Sequence, residues 1–223
     1  MRSEPLRRPP LAMRLRRSLT PPRLRSDEQL VAAFRAGEDE AFAAIAERYR
    51  ERLVAYAAHM LRSRGPAAAE DVVQDVLIRA FRALRADSRP MALRAWLYRI
   101  AHNRCLDELR GERPAVELHE DAVGSAEDAA ASARRRERLR ELVGDIQGLP
   151  AQQRSALVIR ELDGLSYAEL AEALDTTVPA VKSLLVRARM NLAAAAEARE
   201  AEAAVAAGQT ESARRTSVAI ASA

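Results

Sequence analysis

One cysteine, Cys105, stands alone in 223 residues, which excludes a disulfide framework and any zinc site built on thiolates. Aromatic residues make up only 4% and glycines number 8, which argues against a β-rich fold. The three histidines, His59, His102 and His119, lie in different segments. No serine–histidine–acid set and no metal-ligand set accompanies them, so an enzyme lacks its constellation. No apolar run is long enough to span a bilayer and no signal peptide is visible. The expectation is a cytoplasmic protein without membrane insertion and without a cofactor or metal. What is abundant is alanine, leucine and arginine, residues that favour helices. An all-α fold follows.

The formal charge of +4 is unevenly spread. Residues 1–25 hold eight arginines against one glutamate, Glu4, so the remainder is slightly acidic. Any face that binds nucleic acid must therefore be local.

Punctuation divides the chain into five parts. Residues 1–25, with Pro5, Pro9, Pro10, Pro21 and Pro22 among the arginines, read as a disordered basic tail. Residues 26–113 read as four helices joined by short turns, a compact bundle. The first opens on the capping box Ser26–Gln29 and runs to about Ala36; the others span roughly 39–62, 67–86 and 91–111. Residues 114–133 carry Glu117, Glu120, Asp121, Glu127 and Asp128 among small residues and show no apolar face; they read as a flexible acidic linker. Residues 134–195 form a second helical unit. Residues 196–223, rich in alanine and glutamate, should prolong the last helix and fray by Gly208.

The densest signal lies in LSYAELAEALDTTVPAVKSLLVRAR, residues 165–189. Ser166 caps a helix and Glu169 can reach back to it, with Leu165 and Leu170 as a hydrophobic staple. Asp175-Thr176-Thr177 makes a turn, and Thr177 caps a second helix that tolerates Pro179 in its first turn. On that helix Val181, Leu185, Ala188 and Leu192 share one side, the side a core must cover. Lys182, the only lysine of the chain, lies with Arg189 on one flank of the opposite side; Ser183 and Arg187 lie on the other. Cations, a hydroxyl and small residues suit a DNA major groove. A solvated face on an ordinary helical hairpin is the plain alternative.

Two further faces need a role. In AAAEDVVQDVLIRAFRAL, residues 67–84, Val72, Val73, Val76, Leu77, Ala80 and Leu84 face the core. Asp71, Gln74, Asp75, Ile78 and Arg82 lie opposite, either a small docking patch or one stray apolar residue. In RAWLYRIAHNRCLDELR, residues 94–110, Arg99, Asn103 and Arg110 line up, flanked by Trp96 and Asp107. Forked polar groups beside an indole suit an unpaired strand, since stacking a base on an aromatic ring is worth about 1–3 kcal/mol. The alternative is that Trp96 is core.

These three segments, with LPAQQRSALVIRELDG leading into the hairpin, resemble in order and spacing the extracytoplasmic-function (ECF) group of bacterial RNA polymerase sigma factors. The resemblance covers about 26–195. It implies two small helical domains, sigma region 2 and sigma region 4, on a flexible tether, binding core RNA polymerase and promoter DNA to direct initiation. Asp71, Gln74, Asp75 and Ile78 would dock on the β′ clamp helices, and the β flap would be a second polymerase contact. Trp96, Arg99, Asn103, Asp107 and Arg110 would hold the melted −10 strand. Lys182, Ser183, Arg187, Arg189 and Thr177 would read the −35 duplex. The acidic linker would lie in the later path of nascent RNA, and an anti-sigma factor is an expected partner. One departure stands out: the family often has an arginine directly after the lysine–serine pair, where this chain has Leu184, which borders the core face. The rival readings are a helix-turn-helix regulator that works without polymerase, and an adaptor that binds polymerase but ignores promoter sequence.

Overall fold

The structure, a computed structural model, describes residues 21–87, 89–111 and 129–221. Among them are eight α-helices and no strand: α1 Asp27–Arg35, α2 Asp39–Met60, α3 Pro66–Ala86, α4 Leu93–Arg110, α5 Ala129–Gly148, α6 Ala151–Asp163, α7 Tyr167–Ala173 and α8 Val178–Ala221.

Local chemistry sets their ends. Ser26 accepts from the Gln29 N–H at 3.3 Å while its own N–H donates to Gln29 Oε1 at 3.0 Å. Ser166 and Glu169 form the same reciprocal pair, at 3.2 and 2.8 Å. Both capping boxes expected at these starts are present. Replacing Ser166 with Ala is expected to cost about 1 kcal/mol of the stability of the α6–α8 unit, read as a lower urea midpoint. An unchanged midpoint would mean that solvent caps α7 equally well. Gly164 ends α6 at φ 64, a left-handed turn that glycine adopts without strain. Asp175 is the single non-glycine with positive φ among the described residues, at φ 50 in the α7–α8 turn. A short polar side chain tolerates this conformation.

Helices α1–α4 bury Leu30, Phe34, Ile45, Leu53, Met60, Val76, Leu84 and Leu97 almost completely. The scarce aromatics are concentrated here. Phe34, Phe42 and Phe81, every phenylalanine in the chain, meet with ring centroids 5.0–5.2 Å apart. The Arg85 guanidinium lies 4.8 Å from the Phe81 centroid. Helices α6–α8 enclose Ile159, Leu165, Leu170, Val181, Leu185 and Ala188.

Four expectations change. Residues 21–25 are packed rather than loose. Pro22–Leu24 form a 3-10 turn, Arg48 Nη2 donates to the Arg23 and Arg25 carbonyls, and Arg25, only 6% exposed, pairs with Glu38 at 2.9 Å. Residues 1–20 and the five acidic linker residues lie outside the described residues. Helix α5 starts at Ala129, inside the expected linker. Helix α8 continues through Gly208 to Ala221; one glycine costs a helix about 1 kcal/mol, which the flanking alanines offset.

The fourth change is the largest. The two helical units close on each other, α2 against α6 and α4 against α7. Ion pairs cross the seam: Arg52 with Asp163 at 2.7 Å and Arg94 with Glu169 at 2.5 Å. Gln147 Nε2 donates to the His59 carbonyl at 2.6 Å. Arg154 Nη1 donates to the Met60 carbonyl at 3.2 Å.

Candidate functional site

Three exposed faces survive this closure. On the first, α3 and α2 border a groove of about 820 Å³ lined by Phe42, Leu77, Ile78 and Phe81, with Gln74 and Arg82 at its edge. Arg50 and Glu70, paired at 2.6 Å, close one end. Ile78 is 42% exposed, held outward because Val72, Val73, Val76 and Ala80 claim the core side of α3. Gln74 and Ile78 thus share one groove. Asp71 is exposed outside its lining. Asp75 is not a bare carboxylate: Arg79 Nε lies 3.0 Å from Oδ2 and Arg104 Nε 2.5 Å from the same atom. It ties α3 to α4, which corrects the reading of Asp75 as a group held out toward a partner.

The second face is α4. Asn103, Asp107 and Arg110 are exposed and Arg99 is half-buried. Arg104 and Arg110 flank Asp107 at 3.8 and 3.7 Å. Trp96 is 8% exposed. Its ring belongs to the core, the alternative to an open stacking platform; α4 packs against both α3 and α7, and the indole keeps little free surface. Arg94 turns toward the second unit. Burial alone would raise the Glu169 carboxyl, but the bonds from Arg94 and from the Ser166 cap outweigh it and hold it below the usual carboxylate range.

The third face is the outer side of α8. Thr177 Oγ1 accepts from the Ala180 N–H at 3.4 Å and starts the helix. Lys182 Nζ sits 5.8 Å from the Tyr167 ring centroid, with the Arg160 guanidinium 5.5 Å from it. Arg187 Nη2 and Nε donate to Ser183 Oγ at 2.8 and 3.2 Å. That bond pre-orders the guanidinium and leaves its other N–H groups for a ligand. Arg189 makes only a 3.9 Å contact with Glu161. Lys182, Arg187 and Arg189 are all exposed and Ser183 is half-buried. Leu184, as expected, packs against the core edge, and it also lines a small cavity beside His102 of α4. An apolar residue at that position therefore serves the seam between the units.

Some members of these faces had been passed over. Val186 and Met190, 54% and 64% exposed, lie between the flanking cations. Their place was readable from the 100° periodicity that put Val181 and Leu185 inside. Tyr167 and Arg104 carry no comparable local signal. Among the described residues no group of three or more His, Cys, Asp or Glu converges as a metal site. No helix there is long and apolar enough to cross a membrane.

Residues 45–114 match the family model of Sigma-70 region 2, and residues 140–192 that of Sigma-70 region 4. The two helical units are thus those of a sigma factor, a transcription initiation factor. The ECF RNA polymerase sigma-E factor of Escherichia coli (strain K12) is 34% identical over 176 residues, covering 74% of this chain and 91% of that protein. The chain belongs to the ECF family of RNA polymerase sigma factors. It is also 34% identical over 177 residues to the ECF sigma factor SigG of Mycobacterium tuberculosis, spanning 68% of this chain and 47% of that one. Among solved structures, CnrH in complex with the cytosolic domain of CnrY matches with a TM-score of 0.59 and 29% identity, over 77% of this chain and 97% of that one. The sigma factor RpoE from Bartonella quintana, solved with the anti-sigma factor NepR, matches in fold with a TM-score of 0.51 and 24% identity, over 69% and 96%.

Proposed function

We propose that this chain is a cytoplasmic alternative sigma factor whose three exposed faces divide the labour of initiation. The α3 groove around Ile78, with Gln74 and Asp71, docks on the β′ clamp helices of core RNA polymerase, and region 4 reaches the β flap. The α4 line of Arg99, Asn103, Asp107 and Arg110 holds the displaced −10 strand, with Trp96 at its edge. The α8 face of Thr177, Lys182, Ser183, Arg187 and Arg189 enters the −35 major groove. An anti-sigma protein belongs to the same reading, as a partner that restrains the chain before polymerase does.

The observation that carries this is the separation of an apolar docking groove from two polar DNA-compatible faces on different units of one chain. A regulator that binds duplex alone has no use for the groove. Run-off transcription with purified core polymerase tests it. Initiation at discrete promoters is expected, and no start above core polymerase alone would reject it.

Charge and geometry also separate two roles for Arg187. If the side chain meets phosphate, Arg187→Ala weakens binding on all sequences and lowers the salt slope by about 1. Because Ser183 holds the guanidinium as a fork, the expected result is instead a loss of about 1–3 kcal/mol at one guanine position. Electrophoretic titration of holoenzyme against single-base variants of the −35 element reads the difference. Unchanged affinity throughout would remove Arg187 from the face.

The closed arrangement must part for this work. Elements named for positions 10 and 35 base pairs upstream lie roughly 85 Å apart along B-DNA, at about 3.4 Å per step. Here α4 touches α7 directly, so the two DNA faces cannot span that distance until the seam opens.

A further inference from the structure

Three polar side chains meet where the units close. Tyr56 and His102 come from α2 and α4 of the first unit, Ser155 from α6 of the second. His102 Nδ1 lies 3.2 Å from the Tyr56 hydroxyl and 2.9 Å from Ser155 Oγ, and the two hydroxyl oxygens are 2.6 Å apart. Tyr56 and Ser155 have no exposed surface and His102 keeps 4%. The triangle suits a neutral ring whose Nδ1 accepts an O–H. No carboxylate bonds it.

Among the described residues no carboxylate is bonded to the ring to receive a proton's charge. From α2 it faces Tyr56; from α6, Ser155 and the neutral amide of Gln152, with Arg154 of the same helix acting on Tyr56. From the α7–α8 turn come Thr176 and Asp175, and from α8 Leu184, around a cavity of about 90 Å³. Asp175 itself is exposed to solvent. On α4, Arg110 opposes a positive charge on the ring, while the Cys105 thiol, which burial pushes up to about 12, stays neutral.

We propose that this seam is an acid-sensitive latch: a proton on His102 swings the two units apart and frees region 2 and region 4 to reach separate DNA elements. The consequence for promoters rests on the sigma-factor reading; the opening itself does not. A cation in a dry seam without a partner is costly. Burial first, and Arg110 second, push the His102 imidazole down to about 4 in the closed form. Once the units part, Ser155 leaves with α6 and the ring on α4 meets water, where its ordinary value of 6.5 returns. The closed value lies below the open one, so the open form binds more protons. Closure is fully favoured above 6.5 and weakens as pH falls from there toward about 4. Between pH 7.5 and 5.5 the opening constant rises about 10-fold.

His59 is the competing sensor. It lies on α2 with its carbonyl held by Gln147 across the seam, and burial, then Arg62, lower its pKa as well. The test uses the full chain with dyes on Ala86→Cys in α3 and Glu172→Cys in α7, both exposed; the native Cys105 is fully buried. Single-molecule energy transfer is recorded without polymerase from pH 7.5 to 5.5, with circular dichroism to verify that the helices persist. The expected result is an approximately 10-fold rise in the open-to-closed ratio, absent in His102→Gln and in His102→Asn, and retained in His59→Gln. A flat native profile would overturn the proposal. So would a slope that persists in both His102 variants, or one that disappears only with His59. Run-off transcription at pH 7.5 stands apart from these outcomes, so failure of the latch and failure of the sigma assignment are distinguishable.

Discussion

Ile78→Asp is expected to weaken association with core RNA polymerase by about 100-fold or more while leaving the melting temperature of the free chain near its native value. Ile78 stands 42% exposed over a groove whose other apolar walls are Phe42, Leu77 and Phe81. Fully burying such a side chain against a partner contributes about 1.5–3 kcal/mol. The substituted carboxylate would also have to be desolvated with no cation dedicated to it, and an unsatisfied buried group adds about 1–3 kcal/mol or more. At 1.4 kcal/mol per tenfold, the two effects together amount to about two decades or more. The free fold is spared because Ile78 opens onto the solvent-filled groove, whereas Val76 and Ala80 on the inner side of α3 have no exposed surface. Fluorescence anisotropy of labelled chain titrated with core polymerase measures it. Native affinity in the variant would show that the polymerase grips another surface.

Arg154→Met should weaken the architecture at two places at once. One guanidinium serves three carbonyls and an amide: Nη2 donates to the Gln147 carbonyl at 2.7 Å and to the Leu149 carbonyl at 3.0 Å, and Nη1 to Gln147 Oε1 at 3.0 Å and the Met60 carbonyl at 3.2 Å. Burial lowers the guanidinium pKa, yet a group that basic stays charged at neutral pH. Methionine keeps the stem and removes every donor. Carbonyls that lose a donor without gaining water cost about 1–3 kcal/mol each; with partial rehydration, a loss of about 2–4 kcal/mol is expected. The damage falls on the α5–α6 turn and on the seam at the end of α2 together. Urea unfolding followed by circular dichroism reads it. Arg154→Lys should recover little, since one ammonium cannot reproduce a planar fork. An unchanged midpoint for Arg154→Met would mean that water replaces the fork at no cost.

Both residues illustrate what a sequence can and cannot disclose. Ile78 was visible because α3 has a strict helical period and one apolar residue broke it on the polar side. The helix starts at Ser26 and Ser166, the stop at Gly164 and the inward row Val181, Leu185, Ala188 were legible for the same reason: their causes lie within four residues. The exposed cations of α8 were legible too, since a helix whose core side is filled must turn its charges outward. Arg154 is different. Its partners lie on α2 and in the α5–α6 turn, and no local pattern marks it among the 36 basic residues. The Tyr56–His102–Ser155 triangle joins positions 46, 53 and 99 apart in sequence, and only the closed arrangement brings them together. Trp96 could not be decided locally for the same reason: the periodicity placed it beside a polar line, but the helices packed against α4 decide how much of the ring remains open.

Helix α8 carries a mechanical corollary. Its 44 residues make a rod about 66 Å long at 1.5 Å per residue, with the turns that carry Lys182 and Arg187 at one end. Arg199 clasps Asp145 at 2.9 Å partway along, bracing the rod on α5 near a natural fulcrum. A tilt of about 10° about that fulcrum would sweep the far tip, roughly 33 Å away at 1.5 Å per residue, through about 6 Å. Whatever grasps the distal turns of α8 therefore holds a lever on promoter engagement without touching DNA.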